Sequence, residues 1–305
     1  MKCIFIYNPV SGKGKISKKL DYIKSELGKR YETVDVKATQ GPGDMSKFAR
    51  DAVGQYDAII FSGGDGSFNE VVQGLADLDN TPALGYIPSG TVNDIAHSLK
   101  IPKKIKKALK VIQAGRVETL DCMKANDRYS LYVVAAGIFT DTSYSTSQSQ
   151  KNHLGKLAYG LDGIKRNMHF KEFKIDCNDC NTQVHYEDCT LVTFMNGRYV
   201  SGFNTNKHSS MQDGKIEVAI VRGRTKANIF RKIAALLSVA KLFLFGYGAK
   251  SKHIIHMEGS SFDVSVADDI IWTIDGEKGP NGGLHIEVVP KRINVIVSKK
   301  YKVKQ

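Results

Sequence analysis

Three glycine-bearing segments each stand directly behind an apolar run of strand length and directly ahead of a helical pattern. They are Asn8-Pro9-Val10-Ser11-Gly12-Lys13 after residues 3–7, Gly63-Gly64-Asp65-Gly66-Ser67 after 58–61, and Pro88-Ser89-Gly90-Thr91-Val92-Asn93-Asp94 after 83–87. A strand, a loop and a helix repeated in this way is the grammar of a parallel sheet. The loops then share the carboxyl edge of the strands, where doubly wound sheets bind their ligands.

The rest of the first ~125 residues keeps that rhythm. Ile16, Leu20, Ile23 and Leu27 recur at helical spacing, and Val34 with Val36 marks a second strand. Helices are expected over 68–75, from about Val92, and around Ile105, Ala108, Leu109 and Ile112, the last closed by Gly115. After Leu120 the pattern changes. Strand-like runs follow at 129–136, 173–177, 191–194, 216–221, 262–266, 270–274 and 284–289, with helical stretches only near 153–165 and 227–245. The fold class expected is α/β plus β. A doubly wound α/β nucleotide-binding domain over 1–125 precedes a β-rich substrate domain over 126–289. The tail, 290–305, carries a strand run at 293–303 that either closes the second domain or returns to the first.

The chain has 305 residues, 42% hydrophobic and 25% charged, which excludes disordered and collagen-like classes. Its 44 basic and 31 acidic residues give a net charge of +13, which favours an anionic partner: a nucleotide phosphate, nucleic acid or an acidic membrane face. The most apolar stretch, 229–245, is cut by Arg231, Lys232 and Lys241, so no transmembrane span is expected. The apolar N-terminal run is too short for a signal peptide, and five scattered cysteines read as reduced thiols, so a cytoplasmic protein is expected.

Each loop suggests anion chemistry. In the first, Ser11 and Lys13 are suited to meet a phosphate at a helix N-terminus, although the Walker A spacing is missing and an ordinary β–α turn would look the same. In the second, three glycines in four positions would let main-chain N–H groups form a concave nest, and Asp65 could orient a metal-bound water or a ribose. In the third, Thr91 could bond a phosphate, while Asn93 and Asp94 suit a helix cap or a polar network.

In this order, and with Phe68-Asn69-Glu70 completing the second motif and Asp275-Gly276-Glu277 near the end, the chain resembles the bacterial branch of the diacylglycerol kinase catalytic family. The resemblance implies a nucleotide-binding α/β domain, a β-sandwich domain and an active cleft between them. It implies that Asn8, Ser11, Gly12, Gly63, Gly64, Asp65, Gly66, Ser67, Glu70, Gly90 and Thr91 hold the nucleotide, and that Asp275 is the general base toward a lipid hydroxyl. Lys13, Asp94 and Glu277 would join the network around Mg²⁺. A structural Mg²⁺ would sit on the Asp213 carboxylate and main-chain carbonyls at Lys215 and Ile216. Read alone, Asp275-Gly276-Glu277 is better taken as a hairpin turn after Ile274, and only the other three motifs reverse that.

The sequence departs from the family pattern at four places. Gln212 precedes Asp213 where relatives can carry an acid, and Tyr199-Val200-Ser201-Gly202-Phe203-Asn204-Thr205-Asn206 replaces a Pro-containing stretch. Asp162 aligns with a basic position, one turn before Lys165, and His97 stands where an Arg is possible.

The function expected is transfer of the ATP γ-phosphoryl group to a glycerolipid hydroxyl, diacylglycerol to phosphatidic acid, with ATP and Mg²⁺ as cofactors. The partner expected is lipid at the anionic inner membrane face; no nucleic acid is expected, and a homodimer is compatible. The alternatives are a soluble kinase of the NAD-kinase type and a non-catalytic binder of nucleic acid or membrane. Two weaker patterns remain. Cys177 and Cys180, with His185 and Cys189 nearby, spell either a metal site or a hairpin. Lys103, Lys104, Lys106, Lys107 and Lys110 crowd one helix, as a solvated face or as an attraction to anionic headgroups.

Overall fold

A computed structural model of the chain describes residues 1–138, 172–180, 182–207, 209–223 and 229–302, without the side chains of Lys13 and of 229–232. The expected helix at 153–165, with Asp162 and Lys165, lies outside the described residues.

The first lobe runs β1 (Lys2–Tyr7), α1 (Leu20–Leu27), β2 (Thr33–Ala38), α2 (Asp44–Asp51), β3 (Ala58–Gly63), α3 (Asp65–Leu75), β4 (Ala83–Pro88), α4 (Asp94–Ser98) and α5 (Ile105–Ala114). Strands β2, β1, β3 and β4 pair in that order, all parallel. Parallel strands covered on both faces read as continuous apolar runs, and β3 is buried along its whole length. Helix α2 is absent from the sequence expectations, although it buries Met45 and Ala49 at i, i+4 spacing.

The second lobe is strand-rich: β5 (Val117–Ala125), β6 (Arg128–Ser130), β7 (Val133–Gly137), β8 (Phe173–Asn178), β9 (Gln183–Met195), β10 (Ile216–Arg222), β11 (Ile254–Gly259), β12 (Ser261–Ser265), β13 (Ile271–Ile274), β14 (Glu277–Asn281) and β15 (Leu284–Ile296), with α6 (Ile229–Phe245) between β10 and β11. The expected strand at 129–136 is interrupted at Leu131-Tyr132, and the break has a use described below. Strand β7 shows the two-residue side-chain period at work. Val133 and Ala135 face the core shared with the first lobe, whereas Val134 and Ala136 face the sandwich core of Phe194, Phe262, Trp272 and Ile286.

Strand β15 joins the lobes. It pairs antiparallel with β12 at one end and parallel with β4 at the other, through Val295 and Leu84. It also pairs antiparallel with β5 on both sides of a register shift between Val289 and Ile293. The run expected as a separate strand at 293–303 is therefore the end of a longer strand and stops at Ile296. Beyond it the chain turns, with the Tyr301 N–H donating to the Ser298 carbonyl at 2.8 Å. Pro290 and the positive φ of Lys291 make the kink that disguised this continuity in the sequence.

The Cys177/Cys180 segment is the β8–β9 hairpin. Cys177 and Cys189 are buried free thiols, Cys180 is exposed, and no cluster of three metal-ligating side chains occurs among the described residues.

Candidate active site

The loops after β1, β3 and β4 converge on Ser89. Its Oγ lies 2.9 Å from Ser11 Oγ and accepts from Ser62 Oγ at 3.2 Å, and its N–H donates to the Gly63 carbonyl at 2.8 Å. A Cβ added at Gly12, whose φ is +61°, would press on the Ser89 side chain and carbonyl at 3.2 Å. A Cβ at Gly90 would sit 2.5 Å from the Gly64 Cα. The two glycine loops thus touch backbone to backbone, a closeness only glycine permits. Asn93, fully buried at φ +60°, holds the third loop by accepting the Gly90 N–H and donating to the Gly90 carbonyl, at 3.0 and 2.7 Å.

The nest expected at 63–67 has a different form. Gly64 is the extended N-cap of α3, Asp65 is its first helical residue, and none of Gly63, Gly64 and Gly66 has a positive φ. What the chain presents here is a helix N-terminus, whose first N–H groups have no partner within the helix, and the glycines give clearance. Asn8 holds the first loop, its Oδ1 accepting the Val10 N–H at 3.0 Å. Thr91 is exposed, and Ser67 is half-buried on the first turn of α3.

Two carboxylates meet beside these loops. Asp65 Oδ1 accepts the Ile95 N–H at 3.1 Å, and Asp94 Oδ1 accepts the Gly202 N–H at 2.8 Å, across to the second lobe. Burial raises the Asp65 carboxyl above its ordinary range, against the pull of main-chain N–H groups of α4. Burial, together with the charge of Asp65, pushes Asp94 up to about 7. The departure from the family pattern at 199–206 builds the contact: Ser201 and Gly202, at φ +52° and +81°, form the turn whose N–H meets Asp94, and His97 lies 5.4 Å from the Tyr199 ring.

Asp275 sits at the tip of the β13–β14 hairpin, with φ +51° followed by +86° at Gly276, so the Asp-Gly pair does form a tight turn. It is nonetheless buried, and five donors reach its carboxylate. Oδ1 accepts from Ser130 Oγ at 2.7 Å, the Val133 N–H at 3.0 Å and the Tyr132 N–H at 3.1 Å. Oδ2 accepts from the Leu131 N–H at 2.8 Å and from Asn69 Nδ2 at 2.9 Å. The break between β6 and β7 exists because its N–H groups turn to this acid. Burial raises the Asp275 carboxyl, while the donors oppose the rise.

Asn69 lies on α3, one turn beyond Asp65, so the acid of the second lobe rests against the helix that opens the second loop. Gln73, a further turn along, both donates to and accepts from the Tyr129 main chain. Glu277, exposed on the same hairpin, lies over the first turn of α3: a Cβ at Gly66 would sit 2.7 Å from its Oε1. The structure does not bring Glu70 into this group; its Oε2 accepts the Gly43 N–H at 3.2 Å, at the start of α2.

Asp213 is exposed and accepts the Lys215 N–H at 3.2 Å, while the Lys215 ammonium pairs with Glu258 at 2.6 Å. Partial desolvation, then the Lys215 N–H acting against it and the charge of Asp121, leave the exposed Asp213 carboxyl raised. Sequence reasoning missed Asp121 itself. Buried in β5, it accepts the Gly214 N–H at 2.9 Å and the Lys291 N–H at 2.7 Å, tying the Asp213 loop to the β15 kink.

Residues 2–125 match the family model described as the diacylglycerol kinase catalytic domain. Residues 132–297 match the YegS C-terminal NAD kinase beta sandwich-like domain. The diacylglycerol kinase of Bacillus subtilis (strain 168) is 33% identical over 278 residues, which cover 90% of this chain and 89% of that protein.

The chain belongs to the diacylglycerol kinase family.

The diacylglycerol kinase of Staphylococcus saprophyticus is 32% identical over 278 residues, covering 90% of this chain and 88% of that protein. A crystal structure of a diacylglycerol kinase from Bacillus anthracis str. Sterne superposes with a TM-score of 0.80 at 25% identity, covering 98% of this chain and 97% of that one. The two-lobed α/β and β-sandwich architecture is thus that of diacylglycerol kinases, and the chain is a kinase. Among the described residues of this kinase, no helix is long and apolar enough to cross a membrane.

Proposed function

We propose that this kinase transfers the γ-phosphoryl group of ATP to the hydroxyl of a glycerolipid, most simply diacylglycerol, giving phosphatidic acid. One observation carries the reading: the hairpin acid Asp275 is held by Asn69 against the helix whose N-terminus opens the glycine loop. Phosphoryl transfer asks for little more than an acceptor positioned against a cradled triphosphate and for charge neutralisation.

The residues divide the work. The first turn of α3, with Gly63, Gly64, Asp65, Gly66 and Ser67, offers N–H groups to the phosphates, while Asn8, Ser11, Gly12, Gly90 and Thr91 wall the cradle. Asp65 and Asp94 are neighbouring oxygen donors whose carboxyls are both raised, chiefly by burial and, for Asp94, also by the charge of Asp65, a state that a divalent cation would relieve. They suit Mg²⁺, with Glu277 beside them. When bound, Mg²⁺ neutralises phosphate charge and orients the nucleotide. A second, structural ion would suit Asp213 with main-chain oxygens at Lys215 and Ile216; the neighbouring Gln212 has its Oε1 buried without a partner among the described residues.

Asp275 is the base in this proposal. A lipid hydroxyl would reach it by taking the place of Asn69 Nδ2, the one donor supplied by the other lobe. The enzyme would work at a membrane face, without nucleic acid as a partner. Labelled ATP offered with a panel of lipids in mixed micelles, wild type against Asp275→Asn, tests the reading. Label in phosphatidic acid from the wild type alone supports it. Turnover only on NAD, or on no acceptor, overturns it.

A further inference from the structure

Helix α6 is apolar on both sides. Its inner side buries Ala235, Val239 and Leu242, while its outer side exposes Ile233, Leu237, Leu244 and Phe245 at 45, 59, 63 and 66%. On a 3.6-residue period Ile233, Leu237 and Leu244 fall within one narrow stripe, so they form a continuous apolar edge. A groove of about 410 Å³ runs between that edge and residues 251–253. An apolar stripe of this kind on a water-facing helix needs an occupant.

The charge around it identifies which one. From residue 229 to 257 the sequence has five Lys or Arg and no Asp or Glu. Lys241, Lys250 and Lys252 are exposed around the stripe and form no ion pair among the described residues. A second copy docking through the same patch would set these lysines against their own images, with no acid within 229–257 to meet them. A bilayer carrying anionic lipid takes both the apolar edge and the lysines.

We infer that the outer face of α6 is the membrane-docking surface of this kinase, lying in the interface of an anionic bilayer with Leu237 and Leu244 in the acyl boundary and the lysines among the headgroups. The inference rests on the lipid-kinase reading for its purpose, though not for its evidence. The helix is also wired to the site. Phe243 packs on Phe203 with ring centroids 5.9 Å apart, and Phe203 follows the Gly202 whose N–H meets Asp94. A docked α6 therefore stands one loop away from the carboxylates of the cleft.

Co-flotation of the full-length chain with phosphatidylcholine vesicles, with and without 30 mol % phosphatidylglycerol, tests it. Because the residues are exposed, Leu237→Ser with Leu244→Ser and, separately, Lys241→Gln with Lys252→Gln are expected to fold. The wild type is expected to partition at least tenfold more strongly onto the anionic vesicles. Each double variant is expected to lose tenfold or more, at roughly fivefold per lysine. Both variants should phosphorylate a water-soluble short-chain diacylglycerol at the wild-type rate and lose activity only on vesicle-embedded diacylglycerol.

Wild-type partitioning by the variants, or equal binding to neutral vesicles, overturns the docking face. So does a change from dimer to monomer in the variants, which would make the face a self-contact. Docking lost as expected, with no lipid phosphorylated by any form, would leave the face standing and remove the kinase reading instead.

Discussion

Asp94 and Asp275 are equally buried, at 2% exposure each, and their surroundings are opposite. Asp275 accepts five hydrogen bonds, four of them from residues 130–133 of its own lobe. Among the described residues, Asp94 has main-chain donors only from the Ser201-Gly202 turn, and it faces the like charge of Asp65. Burial alone therefore does not tell what a carboxylate is for. The saturated one fixes a hairpin and two lobes in register, and the under-compensated one is a place for positive charge. The same contrast separates their lobes: the hairpin region is closed by side-chain and main-chain bonds, whereas the loop region is shaped by clearance between glycines and leaves helix N–H groups unpaired.

The largest effect should come from the saturated acid. Asp275→Asn is expected to cut lipid turnover by on the order of 10³, the scale of a lost general base. An amide would also turn an N–H toward main-chain donors, costing ~3 kcal/mol of stability. Nucleotide affinity, read by calorimetry on the folded variant, should change only a few-fold. A variant with normal turnover would reduce Asp275 to a structural anchor. Next, Asp65→Ala should weaken both nucleotide binding and rate about tenfold or more, since it removes one of two candidate cation ligands at the loop. Wild-type KM and kcat would break the assignment of this region.

Gly90→Ala is expected to cost ~2 kcal/mol and several-fold in nucleotide affinity, because the new Cβ must push the two glycine loops apart. An unchanged melting temperature would mean the loops have room to separate.

The smallest effect is the pH dependence that distinguishes the two acids. The folded carboxyl of Asp94, at about 7, lies above its unfolded value of 3.8. Its contribution to stability is fully present below that unfolded value and is lost as pH rises through about 7. Asp94→Asn should therefore match the wild type near pH 4 and exceed it by ~1–2 kcal/mol at pH 8 in denaturant melts. Added Mg²⁺ should narrow the gap. A pH-independent difference would break the contrast.

Much of this was legible in the sequence, and for identifiable reasons. Glycines are placed where backbones touch, so the three loops announced themselves. An Asp-Gly pair after a β-run announces a hairpin. Other features had no local signature. Ser89, where the loops meet, reads as one more loop serine. Asp121 is a single acid in a strand, and only the folded loop of Gly214 and the kink at Lys291 give it partners. The helical period separates Asn69, to which the sequence reading gives no role, from Glu70, which it assigns to the nucleotide. Asn69, four residues after Asp65, shares its face and reaches Asp275, whereas Glu70, five residues after, points to α2. Tyr129 to Ala136 looks like one strand because its residues are apolar apart from Ser130, and the split reflects a distant carboxylate. The hairpin and metal readings of Cys177 and Cys180 separate only once Cys177 is seen to face the core.

Strand β15 has a consequence for how the molecule is made. The free edge of β4, in the first lobe, is covered by a partner that emerges from the ribosome about two hundred residues later. Until then the nascent α/β unit carries an open apolar flank and depends on delayed, sequence-distant pairing, the slow and association-prone kind of folding step. A chain cut before Leu284 should accumulate as an aggregating half rather than as a shorter working protein.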